Sequence, residues 1–405
     1  MNIALLHYAA PPIVGGVESV MARQARQLAR VGHQVRIIAG RGATWDAQIP
    51  VVVFPRMDFR HPDVLLANAS LDEGRIPAEF EALVQKITRD LRRSLEGVDA
   101  VFVHNIASSN KNLALTAAVH QLSQTLRNTR FILFHHEMTW LSPKKQESLF
   151  PEWPWNLLRT PWQGARQVVP SRALQTDLAN LMGLPPKQIS VIPDGLDLID
   201  FLGLSLRSVA LLEKLPFTMA APILLAPVRI TSRKNLEISI RVLDALRMEY
   251  PEAILIITGP AGTHSPRNVK YFNKLKNLRA RLKLDGAVFL MAELLPEGLP
   301  EVCMSDFYRL SDALLLTSKE EAVGATVLEA GLARLPVFCT DLPVFRNLAG
   351  AYADYFSLKD TPKQIAERIV NRLDSDPVYQ LRKRVRQEYT WDAIYQSRII
   401  PLLEA

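Results

Sequence analysis

Cysteine is scarce in this chain, which has 405 residues and only two cysteines, Cys303 and Cys339. Two cysteines cannot build a disulfide framework, and these two lack the spacing of paired metal ligands. We therefore predict that both side chains are buried in apolar cores. The same scarcity is typical of proteins from a reducing compartment, so the expected location is the cytoplasm.

Long apolar runs and a leader sequence are missing as well. No apolar run approaches the roughly 20 residues that a membrane-spanning helix needs. The first residues, Met1–Leu6, carry no basic leader and no small-residue cleavage site, so no signal peptide is expected. We expect a soluble protein with at most weak peripheral contact with a membrane.

Aromatic residues make up only 7% of the chain, and few of them lie among its basic residues. Because basic and aromatic side chains are not interleaved, nucleic acid is not an expected partner. The formal net charge of +7 favours anionic partners such as a diphosphate. The basic segment Arg267–Leu284 is predicted to be a solvated amphipathic helix, with contact to a membrane surface as the alternative.

Short β-rich runs alternate with helix-length amphipathic segments along the whole chain. Examples are the strand candidate Asn2–Leu6 before the helix candidate Val17–Val31, and Ile223–Ala226 before Asn235–Glu249. This alternation is typical of α/β folds, in which a parallel sheet is wound by helices.

The length of the chain favours two hydrophobic cores rather than one. The alternation restarts after the turn Pro193–Gly195, so we predict Rossmann-like domains at residues 1–197 and 198–387. Ligands of open α/β sheets bind beyond the carboxyl ends of the strands. Two such domains are therefore expected to face a ligand-binding cleft.

The strongest local signal lies between Ser318 and Ala330. A strand candidate, Ala313–Leu316, leads into a short loop and then into a helix predicted to begin near Gly324. The free N–H groups at such a helix start, here at Gly324 and Ala325, are a natural seat for phosphate.

Two glutamates accompany this helix start. Glu321 and Glu329 are eight residues apart, which corresponds to about 12 Å along a helix. That length is close to the separation of a hexose and a ribose across a diphosphate, so one carboxylate could bind sugar hydroxyls and the other ribose hydroxyls. The alternative is a pair of surface glutamates that help to cap the helix.

A second basic signal, Ala226–Asn235, stands where a strand ends and a helix begins. Arg229 and Lys234 could converge there on a diphosphate, the first as a bidentate fork and the second as a point charge. A transferase without a metal must supply that neutralising charge from its side chains. The alternative is a solvated basic loop.

Two further signals lie in the first half of the chain. Gly15 and Gly16 follow the first strand candidate and allow backbone N–H groups to approach a phosphate closely, although the spacing is not G-x-G-x-x-G. His135 and His136 end another strand candidate, and only one of them is expected to face a ligand. The alternatives are an ordinary turn and a structural histidine.

The chain resembles the retaining glycosyltransferases of family 4 in six motifs that occur in the family's order. These are Gly15–Glu18, His136–Glu137, Pro193–Asp197, Arg229–Asn235, Thr258–Pro260 and Glu321–Glu329. The last has the family's E-x7-E spacing. The final segment, 388–405, looks like the family's closing helix, which packs back on the first domain.

This resemblance implies a GT-B fold of two Rossmann-like domains, with a nucleotide-diphosphate sugar held mainly by the second. Arg229 and Lys234 would bind the diphosphate, Glu321 the sugar hydroxyls and Glu329 the ribose. Gly324 and Ala325 would belong to the same donor-binding set.

In the first domain, the resemblance implies that Gly15 and Gly16 lie at the phosphate and that His136 lies at the reacting sugar. No metal and no cofactor besides the donor are implied, and the anomeric configuration would be retained. Three departures from the family's pattern are Ala322–Val323 for Gly-Phe, Asp194 for asparagine, and Pro227–Val228 for a preceding glycine. None removes a charged group, so activity is expected.

Other functions stay open at this point. They are a nucleotide-sugar epimerase, a phosphorylase, and a non-catalytic protein that binds sugar nucleotides. Both UDP- and GDP-sugars are compatible with the motifs, and the acceptor can be a sugar, a glycan or a lipid-linked sugar. Its pocket is expected around Asn105–Lys111 and Trp140–Trp162 of the first domain.

Overall fold

The computed structural model describes residues 1–262 and 265–404. It divides into two compact units. The first unit consists of Met1–Leu196 and the segment that begins at Trp391, and the second unit consists of Asp197–Thr390.

The first unit alternates strands and helices in the predicted manner. Its strands are β1 (Asn2–His7), β2 (Gln34–Ala39), β3 (Val51–Val53), β4 (Ala100–His104), β5 (Arg130–Phe134), β6 (Arg166–Val169) and β7 (Ile189–Val191). Its main helices are α1 (Gly16–Arg30), α2 (Pro62–Leu71), α3 (Phe80–Ser94), α4 (Leu113–Thr125) and α5 (Arg172–Met182). The strands form one parallel sheet in the order β3-β2-β1-β4-β5-β6-β7. The strand order therefore places the ends of β1, β4 and β5 side by side.

The second unit contains a second sheet. Its strands are β8 (Ile223–Ala226), β9 (Ile254–Ile257), β10 (Val288–Leu290), β11 (Ala313–Leu316), β12 (Val337–Thr340) and β13 (Asp354–Phe356). Its helices are α6 (Leu198–Leu202), α7 (Leu206–Leu212), α8 (Leu236–Leu246), α9 (Pro266–Arg281), α10 (Glu301–Leu310), α11 (Ala325–Leu332), α12 (Pro343–Ala349), α13 (Pro362–Asp374) and α14 (Pro377–Glu388). The sheet is parallel in the order β10-β9-β8-β11-β12-β13.

After α14 the chain returns to the first unit. Two short helices, α15 (Trp391–Ile394) and α16 (Ile400–Glu404), flank a π-helical turn. Ile394 and Ile399 are fully buried in the apolar cluster that also contains β1 residues. Trp391 packs so closely on Gly195 that an added Cβ there would lie 2.6 Å from the indole.

The two parallel sheets confirm the α/β class and the two Rossmann-like domains. Strands β8 and β11 are buried along their whole length, as is typical of parallel sheets covered by helices on both faces. Cys303 and Cys339 are buried, as predicted, and form no disulfide. Within residues 1–262 and 265–404, no helix is both long enough and apolar enough to cross a bilayer.

Tryptophan is distributed unevenly between the units. All six tryptophans of the sequence belong to the first unit, at positions Trp45, Trp140, Trp153, Trp155, Trp162 and Trp391. Trp155 and Trp162 are buried in the core of that unit, whereas Trp153 is partly exposed. The second unit has none.

Candidate functional site

The two loops that carry the strongest sequence signals of the second unit lie against each other. They follow β8 and β11, which are neighbours in the sheet, so both loops leave the same sheet edge. The backbone N–H of Lys319 donates to the carbonyl of Arg233 at 2.8 Å, and the Thr317 hydroxyl donates to the carbonyl of Lys234 at 3.0 Å. These bonds fix the predicted basic loop beside the predicted acidic one.

Lys234 and Glu321 form an ion pair between these loops. Their side chains are 8% and 13% exposed, and Arg233 adds a second cation 3.9 Å from the carboxylate. We call Arg233, Lys234 and Glu321 the Lys234–Glu321 cluster. Burial alone would raise the pKa of Glu321, but the hydrogen bond and the charge of Lys234 outweigh it and hold that pKa below its ordinary value.

Asn235 sets the direction of the basic loop. Its φ of 53° lies in the left-handed region, which asparagine tolerates better than most side chains. This residue ends the 3-10 turn Ser232–Lys234 and starts α8. The turn is what brings the Lys234 side chain back toward β11.

Helix α11 begins where the sequence predicted, immediately after Gly324. Gly324 is buried and has a φ of 72°, and a Cβ at this position would lie 3.0 Å from Leu348. The first N–H groups of α11, beginning with Ala325, have no carbonyl partner within the helix. This end of the helix can therefore accept an anion.

The predicted spacing of the two glutamates along one helix is wrong. Glu321 lies in the loop, because the left-handed conformation of Gly324 separates it from the helix that carries Glu329. Glu329 is exposed on α11, and its Oε2 accepts a hydrogen bond of 2.5 Å from the hydroxyl of Tyr308 on α10. Burial and the Glu329 carboxylate raise the pKa of that tyrosine. Sequence reasoning missed Tyr308, since a tyrosine within an apolar helix face carries no signal.

Arg229, another predicted site residue, does not belong to the Lys234–Glu321 cluster. It is exposed, and among the described residues it makes no ion pair. Its loop is held close to the next one, because an added Cβ on Gly259 would lie 2.1 Å from the carbonyl oxygen of Val228. Only glycine fits at that point of the Thr258–Pro260 motif.

The first unit contains a cavity of about 350 Å³ at the ends of β1, β4 and β5. Its wall consists of His7, Tyr8, Gly16, Val17, Glu18, Arg41, Phe59, Asn105, Lys111, His136 and Glu137. We call it the histidine cavity. Gly16, the first residue of α1, and His136 thus line the same cavity, while Gly15 is the residue before the helix.

Asn105 shapes the segment that carries His136. Its side-chain oxygen accepts the backbone N–H groups of His136 and Glu137 at 2.8 and 3.2 Å, and its φ is 59°. The Glu137 carboxylate accepts a hydrogen bond of 2.8 Å from Lys111. Burial lowers the pKa of His136, although the Asp194 carboxylate opposes that effect. His135 points elsewhere, is fully buried and bonds Gln167.

Sequence reasoning missed His7, which lines this cavity, and His104, which is fully buried and lies within hydrogen-bond distance of His136. Each ends a buried strand, which is the same signal that selected His136. Within the described parts of the chain, no group of three or more His, Cys, Asp or Glu side chains is arranged to hold a metal ion.

Two family models match this chain. The model for Glycosyltransferase Family 4 matches residues 14–199, and the model for Glycosyl transferases group 1 matches residues 210–389. Together they span most of the chain, and the boundary between them lies close in sequence to the boundary between the two units. The chain belongs to the glycosyltransferase family that these models describe.

The curated proteins that this chain resembles match only part of its length. Mannosylfructose-phosphate synthase of Agrobacterium fabrum is 25% identical over 254 residues, 60% of this chain and 54% of that protein. The serotype-specific mannosyltransferase WbdA of Escherichia coli is 33% identical over 94 residues, 23% of this chain and 11% of that protein. The matches thus span about half the length of the first relative and about a tenth of the second.

Among solved structures, Anabaena Alr3699/HepE in complex with UDP is 18% identical, with all of both chains covered and a TM-score of 0.36. A TM-score this low says nothing about the function of the chain.

Proposed function

We propose that this protein transfers a hexosyl group from a UDP- or GDP-sugar to a hydroxyl group of a sugar, a glycan or a lipid-linked sugar. The anomeric configuration is retained and no metal ion takes part. Membership of the family supports this proposal. The observation that carries it is the Lys234–Glu321 cluster beside the start of α11, because a cation, a carboxylate and free N–H groups meet on adjacent loops.

In this mechanism the second unit binds the donor. Lys234 and Arg229 neutralise the diphosphate, and the N–H groups at Gly324 and Ala325 bind its oxygens. Charge that develops on the leaving diphosphate is thereby stabilised without reorganisation of the protein. The Arg229 side chain is exposed and so can turn toward the phosphates.

The two glutamates hold the hydroxyl groups at either end of the donor. Glu321 accepts hydrogen bonds from the sugar, and its low pKa keeps it ionised at neutral pH. Glu329 accepts hydrogen bonds from the ribose, and the Tyr308 hydroxyl fixes one of its oxygens. A carboxylate has about four lone-pair sites, so Glu329 retains capacity for the ribose.

The first unit supplies groups near the reacting carbon. The backbone N–H of Gly16 approaches the phosphate, and His136 contacts the reacting sugar. The leaving phosphate takes the proton of the attacking hydroxyl on the same face, which retains the configuration. The buried, unpaired Cys303 and Cys339 are compatible with a cytoplasmic location.

A donor screen in EDTA tests the proposal. We expect one UDP- or GDP-sugar to raise the melting temperature, since a ligand at a hundred times its Kd adds about 2.7 kcal/mol. Mannosyl donors belong in the screen because the names of the two curated relatives described above contain a mannosyl group. NMR of the product then reads the anomeric configuration.

The outcomes separate the alternatives. Conversion of the donor without any acceptor would identify an epimerase. Binding of a donor without transfer to any hydroxyl compound would identify a binding protein. No stabilisation by any sugar nucleotide would contradict the proposal as a whole.

A further inference from the structure

The two histidines of the histidine cavity, His7 and His136, are linked by hydrogen bonds through His104, which is fully buried and is not part of the cavity wall. Strands β1, β4 and β5 are neighbours, so His7, His104 and His136 all lie at the same sheet edge. We infer that His104 is a positioning residue that fixes the tautomers of His7 and His136, so that the cavity presents one imidazole acceptor and one imidazole donor to a single hydroxyl group. This inference rests on the proposed transfer to a hydroxyl acceptor and adds how that acceptor is held.

The tautomer of His7 follows from its partner. Its Nδ1 lies 2.9 Å from the backbone carbonyl oxygen of His104. A carbonyl oxygen only accepts, so Nδ1 carries the proton. Burial lowers the pKa of His7 to about 4, so the ring is neutral near pH 7 and Nε2 keeps its lone pair. Nε2 lies 3.9 Å from Glu18, too far for a hydrogen bond, and both residues line the cavity.

The tautomer of His104 follows from its burial. Its Nε2 is buried and has no hydrogen-bond partner among the described residues, whereas its Nδ1 lies 3.0 Å from Nε2 of His136. A buried N–H without a partner is rarer in proteins than a buried acceptor without one. The proton of His104 therefore belongs on Nδ1. Phe134 packs on the ring at 4.8 Å between centroids and holds its orientation.

His136 must then accept at Nε2 and carry its own proton on Nδ1. Asp194 Oδ1 lies 4.0 Å from that Nδ1 and favours a proton there. Glu137, the next residue, is engaged by Lys111. The gap between Nδ1 and Asp194 exceeds a hydrogen bond, so the N–H of His136 can serve a ligand in the cavity.

The resulting pair matches a hydroxyl group. A hydroxyl has one proton to donate and two lone pairs to accept with. Before the reaction, the bound hydroxyl donates a hydrogen bond to His7 Nε2 and accepts one from the Nδ1–H of His136; its proton passes to the leaving phosphate only in the transfer step. The second lone pair stays available for the bond to the donor sugar.

The test measures tautomers directly and needs no substrate. Long-range ¹H–¹⁵N correlation of protein labelled with ¹⁵N-histidine reports which ring nitrogen carries the proton, and His7→Gln and His136→Gln assign the two signals. We expect protons on Nδ1 of both residues near pH 7. A proton on Nε2 of His136 in the unsubstituted protein overturns the inference.

The variant His104→Phe distinguishes the side-chain hydrogen bond between His104 and His136 from the hydrogen bond between His7 and the backbone carbonyl of His104. It removes the side-chain donor but keeps the ring that stacks on Phe134 and the backbone carbonyl. We expect His136 to shift toward the Nε2–H tautomer while His7 stays unchanged. An unchanged His136 overturns the inference, whether or not the variant is active.

Steady-state kinetics provide a second test of the role of His104. We expect His104→Phe to raise KM for the acceptor about two- to tenfold, the range of one lost hydrogen bond, with donor binding unchanged. The control is His120→Gln, which replaces a histidine that packs on Trp162 outside the cavity. If the tautomers are as expected but no hydroxyl compound is a substrate, the proposed function is wrong and the role of His104 stands.

Discussion

Lys234 is the most deeply buried of the cationic side chains at the candidate site of the second unit. Its ammonium is paired with Glu321, and a donor diphosphate would add a second anionic partner. A buried charge of this kind is worth more to a developing negative charge than a solvated one, because the surrounding dielectric is low.

Replacement of this lysine tests its role. We expect Lys234→Met to lower kcat about 100- to 1000-fold, the typical loss when one preorganised electrostatic donor is removed. The matched control is Lys363→Met, because Lys363 pairs with Glu367 at the surface of the same unit. Equal rates for Lys234→Met and the unsubstituted enzyme would contradict the assignment.

Tyr308 donates a hydrogen bond to Glu329, the residue that we propose binds the ribose. We expect Tyr308→Phe to raise KM for the donor about tenfold with little change in kcat, because a hydrogen bond to a carboxylate contributes about 1.5–3 kcal/mol when buried and less near solvent. Steady-state kinetics with varied donor measure this change. Tyr355→Phe is the control, since that hydroxyl bonds the carbonyl of Gly350 instead of a carboxylate. A fall in kcat without a change in KM would place Tyr308 elsewhere in the mechanism.

Helix α11 depends on one backbone conformation at its start. Gly324→Ala should reduce stability by about 1–2 kcal/mol, because alanine at a φ of 72° is strained and its Cβ meets Leu348 at 3.0 Å. Gly331→Ala in the same helix should instead stabilise by about 0.5–1 kcal/mol, because its Cβ meets nothing within 4 Å. Thermal unfolding of both variants measures the difference. Equal effects would mean that the conformation of Gly324 does not matter.

At the scale of secondary-structure elements, the sequence predicted features that depend on adjacent residues in the chain. It missed features that depend on contacts with other elements. The buried strands β8 and β11 appear as apolar runs, but β13 does not, because Asp354–Phe356 is short and half-exposed. The start of α11 near Gly324 was predicted, but the spacing of about 12 Å between Glu321 and Glu329 assumed that both lie on one helix, and Glu321 lies in the loop before the left-handed Gly324. Glycine is compatible with both a helix and a left-handed turn, so its sequence position alone could not decide.

The approach of two loops is likewise invisible in the sequence. Lys234 and Glu321 are far apart in the chain and meet because β8 and β11 are adjacent. The resemblance to a known family implied that both motifs bind the donor, whereas the residues alone left a solvated loop as the alternative. His7 and His104, in contrast, could have been predicted from the sequence, because each ends a strand and the rule that selected His136 applies equally to them.

At the scale of the whole molecule, histidine burial makes the first unit sensitive to acid. Burial lowers the pKa of His7 and His135 to about 4, and it lowers the pKa of His104 well below its ordinary value of 6.5. The unfolded chain takes up protons as the pH falls below 6.5, but the folded unit does not. The stabilisation is therefore complete above pH 6.5 and is lost between pH 6.5 and about 4, by roughly 3 kcal/mol for each of the first two residues.

Urea denaturation at pH 7, 6 and 5 measures this loss. Tryptophan fluorescence reports the first unit alone, because all six tryptophans lie there. We expect the midpoint to fall with pH, and His135→Gln to reduce the slope because it removes one buried ionisable group outside the histidine cavity. A midpoint that does not move between pH 7 and 5 would contradict the burial of these rings in the neutral form.

The return of the chain after α14 has a consequence for biosynthesis. The core of the first unit includes Ile394 and Ile399, which are translated after the entire second unit. On the ribosome, the second unit can finish folding while the first still exposes the surface that these residues will cover. The part of the protein that is made first is therefore the part that matures last.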